Sequence, residues 1–308
     1  MTQQLSLFPS SSLDASSLLQ DKIIADLEAA LGPVDEMFTA STRLRKSRNF
    51  MELLDFIARF PNYSAFNGLL LYIQDSSATY VATARTWAKK FRRHPGQNAR
   101  PLVILAPMAP IRFVFDIRDT EGSPIPSDLL KSVEIGRQLS AKVYSNTVQN
   151  CSLQGVAVCE TKLNHDVQGT TDRLTPALRK QYKDSNIQKD TSYVIHLNKV
   201  HCLEEKYTYL AHELGHIFCG HLGIDRYAWW PEREDLNIRG EEIEAGCVAY
   251  LVCRRKGLRA SSEKYLINYV GANQEIPAFS LNAVLQAVSY IEEMGRHRWK
   301  EPRKRRRN

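Results

Sequence analysis

Residues 207–219 read YTYLAHELGHIFC, and this stretch decides how the rest of the chain is interpreted. Apolar residues recur in it at helical spacing, which predicts an amphipathic helix over residues 206–219. His212 and His216 are four residues apart, so they project from one face of that helix, one turn apart. Two imidazole nitrogens at this separation can bind the same Zn²⁺ ion. The segment therefore predicts a metal-binding helix.

Glu213 lies between the two histidines of this pattern. A carboxylate there points to the side on which a metal-bound water would sit, and it can accept a proton from that water as the water attacks a carbonyl carbon. The chain has only 8 histidines, so an HExxH pattern within a predicted helix is a specific signal. It predicts one zinc ion, with His212 and His216 as ligands and Glu213 as the catalytic base.

A third protein ligand is needed, and we predict Glu244 in a helix over residues 241–256. Its carboxylate lies on an apolar stripe, where an unpaired charge would be costly and a bound ion would remove that cost. Glu241 is the reserve on a neighbouring part of the face, and Glu242 is predicted to point away. His221 stays open as an alternative, between glycines at the expected end of the first helix. Small residues near Glu244 would let the two helices approach closely.

With 308 residues, of which 43% are hydrophobic, the chain can form about two ordinary domains, each with its own core. Predicted helices cover about 18–31, 50–60, 64–74, 128–139, 206–219, 241–256, 261–270 and 281–294, and predicted strands cover 102–106, 111–117, 142–144, 155–159 and 193–197. This pattern predicts an α+β fold. Two prolines and a glycine in residues 121–126 predict a linker, which gives an N-terminal α+β domain over 1–122, a second domain over 123–295 and a basic tail over 296–308.

No stretch of the sequence has the roughly 18 to 20 apolar residues that a membrane span needs, and the first 20 residues lack the pattern of a secretory leader. The six cysteines form no CxxC pair, and three of them lie in predicted helices, so reduced thiols are expected rather than disulfides. These features predict a cytoplasmic protein with no membrane partner.

The net charge of +7 is concentrated in two places. The tail over 296–308 has eight basic residues and one acidic residue, and its arginine-rich end over 303–307 is typical of a disordered polybasic segment. Residues 43–100 have eleven basic and three acidic residues, with aromatic residues between them. Basic and aromatic side chains together favour unpaired nucleic acid. The predicted contacts to single-stranded DNA are Arg85, Lys89, Lys90, Arg92 and Arg93, although a solvated helix face would have the same pattern.

Two segments of the second domain carry a resemblance to a known family. Residues 209–216, YLAHELGH, and 242–249, EIEAGCVA, resemble the ImmA/IrrE family of metallo-endopeptidases. That family pairs an AHELGH helix with an E-x-E-A-(N/D)-x-F-A helix, whose second glutamate is the third zinc ligand. The resemblance implies a zincin-like fold with a small sheet and gives the ligand role to Glu244. Gly246 and Val248 stand where the family usually has Asn or Asp and Phe.

The N-terminal half has a second resemblance. The segments YSAFNGLLL (63–71), ATYV (78–81), RTW (85–87) and FDI (115–117) are similar to the domain that opens ArdC-type antirestriction proteins. In such proteins this domain is associated with binding of single-stranded DNA and precedes a zinc-protease-like domain. The usual Lys-Gly-Glu turn after the tryptophan helix is replaced here by RRHPGQ over 92–97.

Two functional hypotheses follow. The first is a zinc metallo-endopeptidase that hydrolyses a peptide bond in a protein partner such as a transcriptional regulator. The strand over 193–197 would pair with an extended substrate or serve only as structure. Oxyanion donors stay open among Tyr207, His221, Arg239 and Tyr250. The alternative is a single-stranded-DNA-binding antirestriction or mobile-element protein in which the zinc domain is structural or regulatory.

Overall fold

The computed structural model describes residues 35, 47–106, 109–125, 136–164, 169–182, 187–224, 228–234, 236–258, 266, 276–277 and 279–300. The predicted helix over 18–31, most of those over 128–139 and 261–270, and the arginine-rich tail over 303–307 lie outside these residues. Within them the protein is a mixture of helices and sheets, as the α+β prediction requires.

The first half of the chain pairs two helices with small sheets. Its elements are α1 (Ser47–Ala58), α2 (Ala65–Gln74), β1 (Val81–Ala82), α3 (Ala84–Thr86) with a π-helical turn (Trp87–Phe91), β2 (Arg93–Pro95), β3 (Leu102–Ala106), β4 (Ala109–Asp116) and β5 (Thr120–Gly122). Helix α2 starts where the Ser64 hydroxyl accepts a hydrogen bond from the Asn67 amide, as is usual at a helix N-terminus. Strands β3 and β4 pair antiparallel, which confirms the predicted strand pair, and β1 completes the order β1-β4-β3.

The second half builds one three-stranded sheet and packs helices on it. Its elements are α4 (Ala141–Ser152), β6 (Val156–Thr161), β7 (Gly169–Arg173), α5 (Pro176–Gln181), β8 (Tyr193–Asn198), α6 (Leu203–Phe218), α7 (Ile238–Arg255) and α8 (Leu281–Arg296). The sheet order is β6-β8-β7, with β8 parallel to β6 and antiparallel to β7. Helices α6, α7 and α8 confirm three predicted helices to within a few residues.

The predicted strand over 142–144 is wrong, because these residues form the first turn of α4. Thr147, Asn150 and Cys151 are buried at helical spacing on the side that packs against α8. The Asn150 amide also donates hydrogen bonds to the backbone oxygens of Met294 and His297, at the end of α8. Contacts with a segment far along the chain therefore decide a conformation that a run of three residues cannot specify.

The largest hydrophobic core draws on both halves of the chain. It includes Phe50, Leu53 and Leu69 of α1 and α2 together with the buried faces of α6, α7 and α8. The Phe50 ring lies 5.4 Å from the ring of Phe279, edge to face. A smaller core, with Phe56, lies between these helices and the β1-β4-β3 sheet. The predicted boundary between residues 122 and 123 thus does not separate two cores.

No helix among the residues described here has both the length and the apolar character needed to span a bilayer.

Candidate metal centre

Helix α6 places the HExxH residues on the face opposite its buried stripe. Leu210, Leu214 and Ile217 have no exposed surface and fix one side of the helix in the core. His212 and His216 therefore face outward from that core, and their side chains are 15% and 14% exposed. This confirms the predicted amphipathic helix and leaves both imidazoles within reach of solvent.

A close crossing between α6 and α7 brings a carboxylate to the two histidines. A Cβ atom added to Gly215 would lie 2.9 Å from the Ala245 Cα atom, so the helices touch where Gly215 has no side chain. One turn before this crossing, α6 has His212 and α7 has Glu242. Ala245 confirms that small residues of α7 allow the approach. Gly215, the partner residue on α6, was missed by the sequence analysis.

The ligand atoms of three side chains converge at this place. The Nε2 atoms of His212 and His216 are 3.2 Å apart; Glu242 Oε2 lies 3.5 Å from His212 Nε2, and Glu242 Oε1 lies 3.6 Å from His216 Nε2. In a tetrahedral site with bonds of about 2.0–2.2 Å, ligand atoms are about 3.3–3.6 Å apart. The triangle formed by the two nitrogens and the Glu242 carboxylate group has spacings in this range, and the set of two imidazoles and a carboxylate could hold a zinc ion.

Among the described residues, the structure groups Glu242 with the two histidines, whereas the sequence predicted Glu244 as the third ligand. Glu244 is fully buried, and its oxygens accept hydrogen bonds from Arg233 at 2.6 and 2.7 Å and from the Ser280 amide at 2.6 Å. These contacts, and one from His221, neutralise the charge that the sequence analysis assigned to an ion. The prediction that Glu242 points away from the histidines is wrong. Residues two apart lie on nearly opposite faces of a helix, so Glu242 and Glu244 point to different sides of α7.

Glu241 and His221, the other two ligands considered, do not join the triangle. Glu241 is in the first turn of α7 and belongs to neither ligand group found among the described residues. His221 lies behind His216, with the two Nδ1 atoms 3.0 Å apart. It forms a second, fully buried group with Cys219 and Glu244.

In that second group, Glu244 is already engaged in an ion pair. The Arg233 guanidinium already places a positive charge on both oxygens of Glu244. Burial raises the pKa of the Cys219 thiol well above its usual value, which disfavours the thiolate that a metal would need. His221 and Glu244 therefore support the first site from behind.

The Glu213 carboxyl is held in place by the neighbouring sheet. The Thr171 hydroxyl, on β7, donates a hydrogen bond to Glu213 Oε2 at 2.6 Å. A Cβ atom at Gly169 would lie 3.3 Å from Oε1, so a larger residue there would crowd the second oxygen. Burial raises the pKa of the Glu213 carboxyl, although His212 and Thr171 act in the opposite direction. A raised pKa suits a group that must accept a proton.

His216 remains neutral over a wide pH range. Burial, together with the neighbouring His212 and His221, lowers its pKa to about 3, while Glu242 opposes the shift. Only a neutral imidazole has a lone pair for a metal. The environment of His216 therefore favours the form that can act as a ligand.

Strand β8 cannot pair with a substrate. Its residues form hydrogen-bonded ladders with β6 on one side and with β7 on the other. The sheet as described ends at β7, which also has Thr171 beside Glu213. The strand-pairing role suggested for residues 193–197 was wrong, and β7 is the edge strand next to the candidate site.

Comparison with family models, curated proteins and solved structures gives no match for this chain. The resemblances found in the sequence stay predictions, and the chemistry of the site has to be inferred from its own residues.

Three of the suggested oxyanion donors are engaged or buried. Tyr250 donates a hydrogen bond to Asp55 at 2.5 Å, His221 lies between His216 and Glu244, and Tyr207 is fully buried. Arg239 is exposed on α7, one turn before Glu242. The choice of oxyanion donor stays open, and Arg239 is the one of the four that is exposed.

The predicted DNA contacts divide into two groups. Arg85, Lys89, Lys90 and Arg92 are exposed. Arg93 is buried, and its guanidinium donates hydrogen bonds to the Thr120 hydroxyl at 2.9 Å and to the backbone oxygens of Thr120 and Ser123. Arg93 joins β2 to β5, so its assignment as a DNA contact is wrong.

An open groove lies beside Arg85. Arg112 and Phe113 of β4 line it, and the Phe113 side chain is 52% exposed. The groove is completed by Thr83, Ala84, Pro101 and Phe115. Arg112 and Phe113 were not among the predicted DNA contacts, because the apolar pattern of this segment indicates only a sheet strand.

Proposed function

We propose that this chain is a zinc-dependent metallo-endopeptidase that hydrolyses a peptide bond in a protein substrate. The observation that carries the proposal is the 3.2–3.6 Å triangle formed by His212, His216 and Glu242. A zinc ion held there would act as a Lewis acid that polarises a peptide carbonyl and acidifies water.

The residues of the chain would have distinct tasks in this reaction. Glu213 takes the proton from the attacking water and returns it to the leaving amine. Thr171 holds Oε2 of Glu213, so Oε1 is the atom that would take the proton. Arg239 would balance the negative charge that develops on the carbonyl oxygen.

The edge of the sheet supports a peptide as the substrate. An extended chain can pair with β7 through backbone hydrogen bonds, as peptides do at exposed strands. Because Thr171 lies on this strand and contacts Glu213, a peptide paired there would pass close to the base. Backbone pairing is compatible with a protein substrate, and the side chains of the substrate would add the selectivity.

Glu242→Gln, compared with Glu241→Gln in the same turn, tests the ligand assignment. We expect wild type and Glu241→Gln to bind one zinc ion per chain, and Glu242→Gln to bind zinc at least 10-fold more weakly. Zinc content by elemental analysis and chelator competition give both numbers. Equal zinc binding by the two variants would refute the role of Glu242.

Glu213→Gln tests the catalytic assignment. This variant should retain zinc and lose about 10²–10⁴-fold of the rate, the usual contribution of a general base. Cleavage of a mixed library of unstructured peptides, followed by mass spectrometry, measures the rate. The peptidase proposal fails if zinc-loaded wild type cleaves no peptide or protein, or if Glu213→Gln cleaves as fast.

We also propose, as a second function, binding of single-stranded DNA in the groove beside Arg85. Exposed Phe113 offers a ring on which a base can stack, and Arg85 and Arg112 offer charge for phosphates. In this alternative the zinc domain would be structural or regulatory. A fluorescent oligo-dT should bind with strong salt dependence, and Phe113→Ala should weaken binding by about 1–3 kcal/mol. Lys162→Ala, in the other half, is the control, and equal binding by both variants would remove the groove from consideration.

A further inference from the structure

A continuous chain of buried contacts runs from His216 away from the candidate metal site. His216 Nδ1 lies 3.0 Å from His221 Nδ1, and His221 Nε2 lies 2.9 Å from Glu244 Oε2. Glu244 is in turn held by both Nη atoms of Arg233 and by the Ser280 amide. The side chains of His221 and Glu244 have no exposed surface.

The direction of each hydrogen bond in this series follows from the ionisation of Glu244. Glu244 accepts from Arg233, so it is an ionised carboxylate and can only accept from His221. The proton of His221 is therefore on Nε2. A neutral His221 then has a lone pair on Nδ1, so the proton between the two rings belongs to Nδ1 of His216.

A neutral His221 ring can meet both of its contacts, because it donates through Nε2 to Glu244 and accepts through Nδ1 from His216. Arg233 already matches the single charge of Glu244 with two hydrogen bonds. A neutral ring satisfies both contacts with no uncompensated charge.

We propose that Arg233, Glu244 and His221 are positioning residues that fix His216 in its Nδ1-protonated form. In that form Nε2 has its lone pair directed at His212 Nε2 and Glu242, where the ion of the proposed function would bind. The inference rests on that metal site, but not on peptidase activity. Partners of this kind typically change metal affinity by 10- to 100-fold when they are removed.

The tautomer can be observed without metal or substrate. The chelator-treated full-length protein, labelled with ¹⁵N in histidine, gives long-range ¹H–¹⁵N correlations that distinguish the two ring nitrogens. We expect a protonated Nδ1 and an unprotonated Nε2 for His216, and the reverse for His221. A His216 protonated at Nε2, or a doubly protonated His221, would overturn the proposal.

Two substitutions of His221 separate positioning from simple packing. His221→Asn places an amide oxygen near the former Nδ1, where it can accept from His216, but it cannot reach Glu244. His221→Gln places an amide nitrogen near the former Nε2, where it can donate to Glu244, but it does not accept from His216. We expect His221→Asn to keep the tautomer and most of the zinc affinity, and His221→Gln to lose 10- to 100-fold in affinity.

A purely structural role predicts the opposite order, because His221→Gln keeps the buried carboxylate satisfied. Zinc affinity by chelator competition and the Co²⁺ absorption spectrum give readouts that stability alone does not move. If His221→Gln binds zinc as wild type does, the positioning role is overturned while the metal site stands. If wild type binds no zinc, both the positioning role and the proposed function fail. If it binds zinc with the expected tautomer and cleaves nothing, only the peptidase proposal fails.

Discussion

At the scale of single residues, two glutamates of one helix have different tasks. Glu242 joins the histidines, whereas Glu244 is neutralised by Arg233 on the other side of α7. The sequence identified Glu244 as a buried charge in need of a partner, and this was correct. The identity of that partner was not accessible, because Arg233 lies in an irregular segment that no periodic pattern connects to the helix.

Burial of the Glu213 carboxyl should destabilise the folded state at high pH, and Glu213→Gln measures this cost. Burial raises the pKa of the Glu213 carboxyl, so the folded protein keeps this proton to a higher pH than the unfolded chain, in which the pKa is about 4.3. The protonated Glu213 carboxyl stabilises the folded state fully below about pH 4.3. This stabilisation is lost as the pH rises through the pKa of Glu213 in the folded protein. In chelator-treated protein, Glu213→Gln should therefore raise the unfolding temperature at pH 8 and change it little at pH 4. A lower unfolding temperature of Glu213→Gln at pH 8, measured by calorimetry, would contradict the burial effect. Glu241→Gln is the control for removing a glutamate charge in the neighbouring helix.

Adjacent arginines 92 and 93 should respond differently to removal. Arg93→Ala leaves buried oxygens of Thr120 and Ser123 without donors, so we expect a loss of about 2–4 kcal/mol in unfolding free energy. Arg92 is exposed, and Arg92→Ala should change stability by less than about 0.5 kcal/mol. Urea unfolding of both variants gives the comparison. Similar losses in both would show that the bonds of Arg93 contribute little.

At the scale of elements, long amphipathic helices were predictable and their partners were not. The apolar spacing of α6, α7 and α8 specified each helix and its buried face. The sheet order β6-β8-β7 depends on contacts across the chain, so the edge position of β7 and its contact through Thr171 could not be read from local pattern. Small residues signalled a close helix crossing, but only the structure identifies Gly215 as its centre.

The helix crossing predicts an unusual response to a glycine substitution. Replacing glycine by alanine inside a helix ordinarily stabilises it by roughly 0.5–1 kcal/mol. At Gly215 the new methyl would lie 2.9 Å from the Ala245 backbone, so we expect a loss of about 1–3 kcal/mol and weaker zinc binding. At Gly246 the nearest atom is a Leu266 methyl at 3.4 Å, so Gly246→Ala should be neutral or stabilising. Unfolding curves and zinc titrations of the two variants test this, and equal effects would argue against a tight crossing.

At the scale of the whole molecule, Arg255 links α7 to the N-terminal helices through hydrogen bonds. Its guanidinium is paired with Glu292 at 2.7 Å and donates to the backbone oxygens of Ile57, Phe60 and Tyr63. These carbonyls lie at and beyond the end of α1, where helices leave backbone oxygens unpaired. One side chain therefore satisfies a helix terminus, the following turn and a carboxylate of α8.

Arg255→Leu should consequently destabilise the entire protein. We expect a loss of about 3–5 kcal/mol, because a buried carboxylate loses its partner and three carbonyls lose a donor. Arg254→Leu is the matched control, since Arg254 pairs with half-exposed Asp55 at 3.2 Å and should cost no more than about 1 kcal/mol. Chemical denaturation monitored in both halves, at tryptophans 87 and 230, would show one transition shifted by each variant. Comparable shifts for the two would mean that the Arg255 contacts are weak.

The core shared between α1, α2 and the later helices has a practical consequence for dividing this protein. The proline-containing segment near residue 122 is the predicted domain boundary. A fragment that starts there would expose to solvent the apolar surfaces that contact Phe50 and Leu53. Arg255 would also lose the backbone oxygens of Ile57 and Phe60. Such a fragment should be recovered as an aggregate, and supplying residues 1–122 as a separate polypeptide should restore solubility. The half that contains the candidate metal site can therefore be produced in folded form only together with the first half.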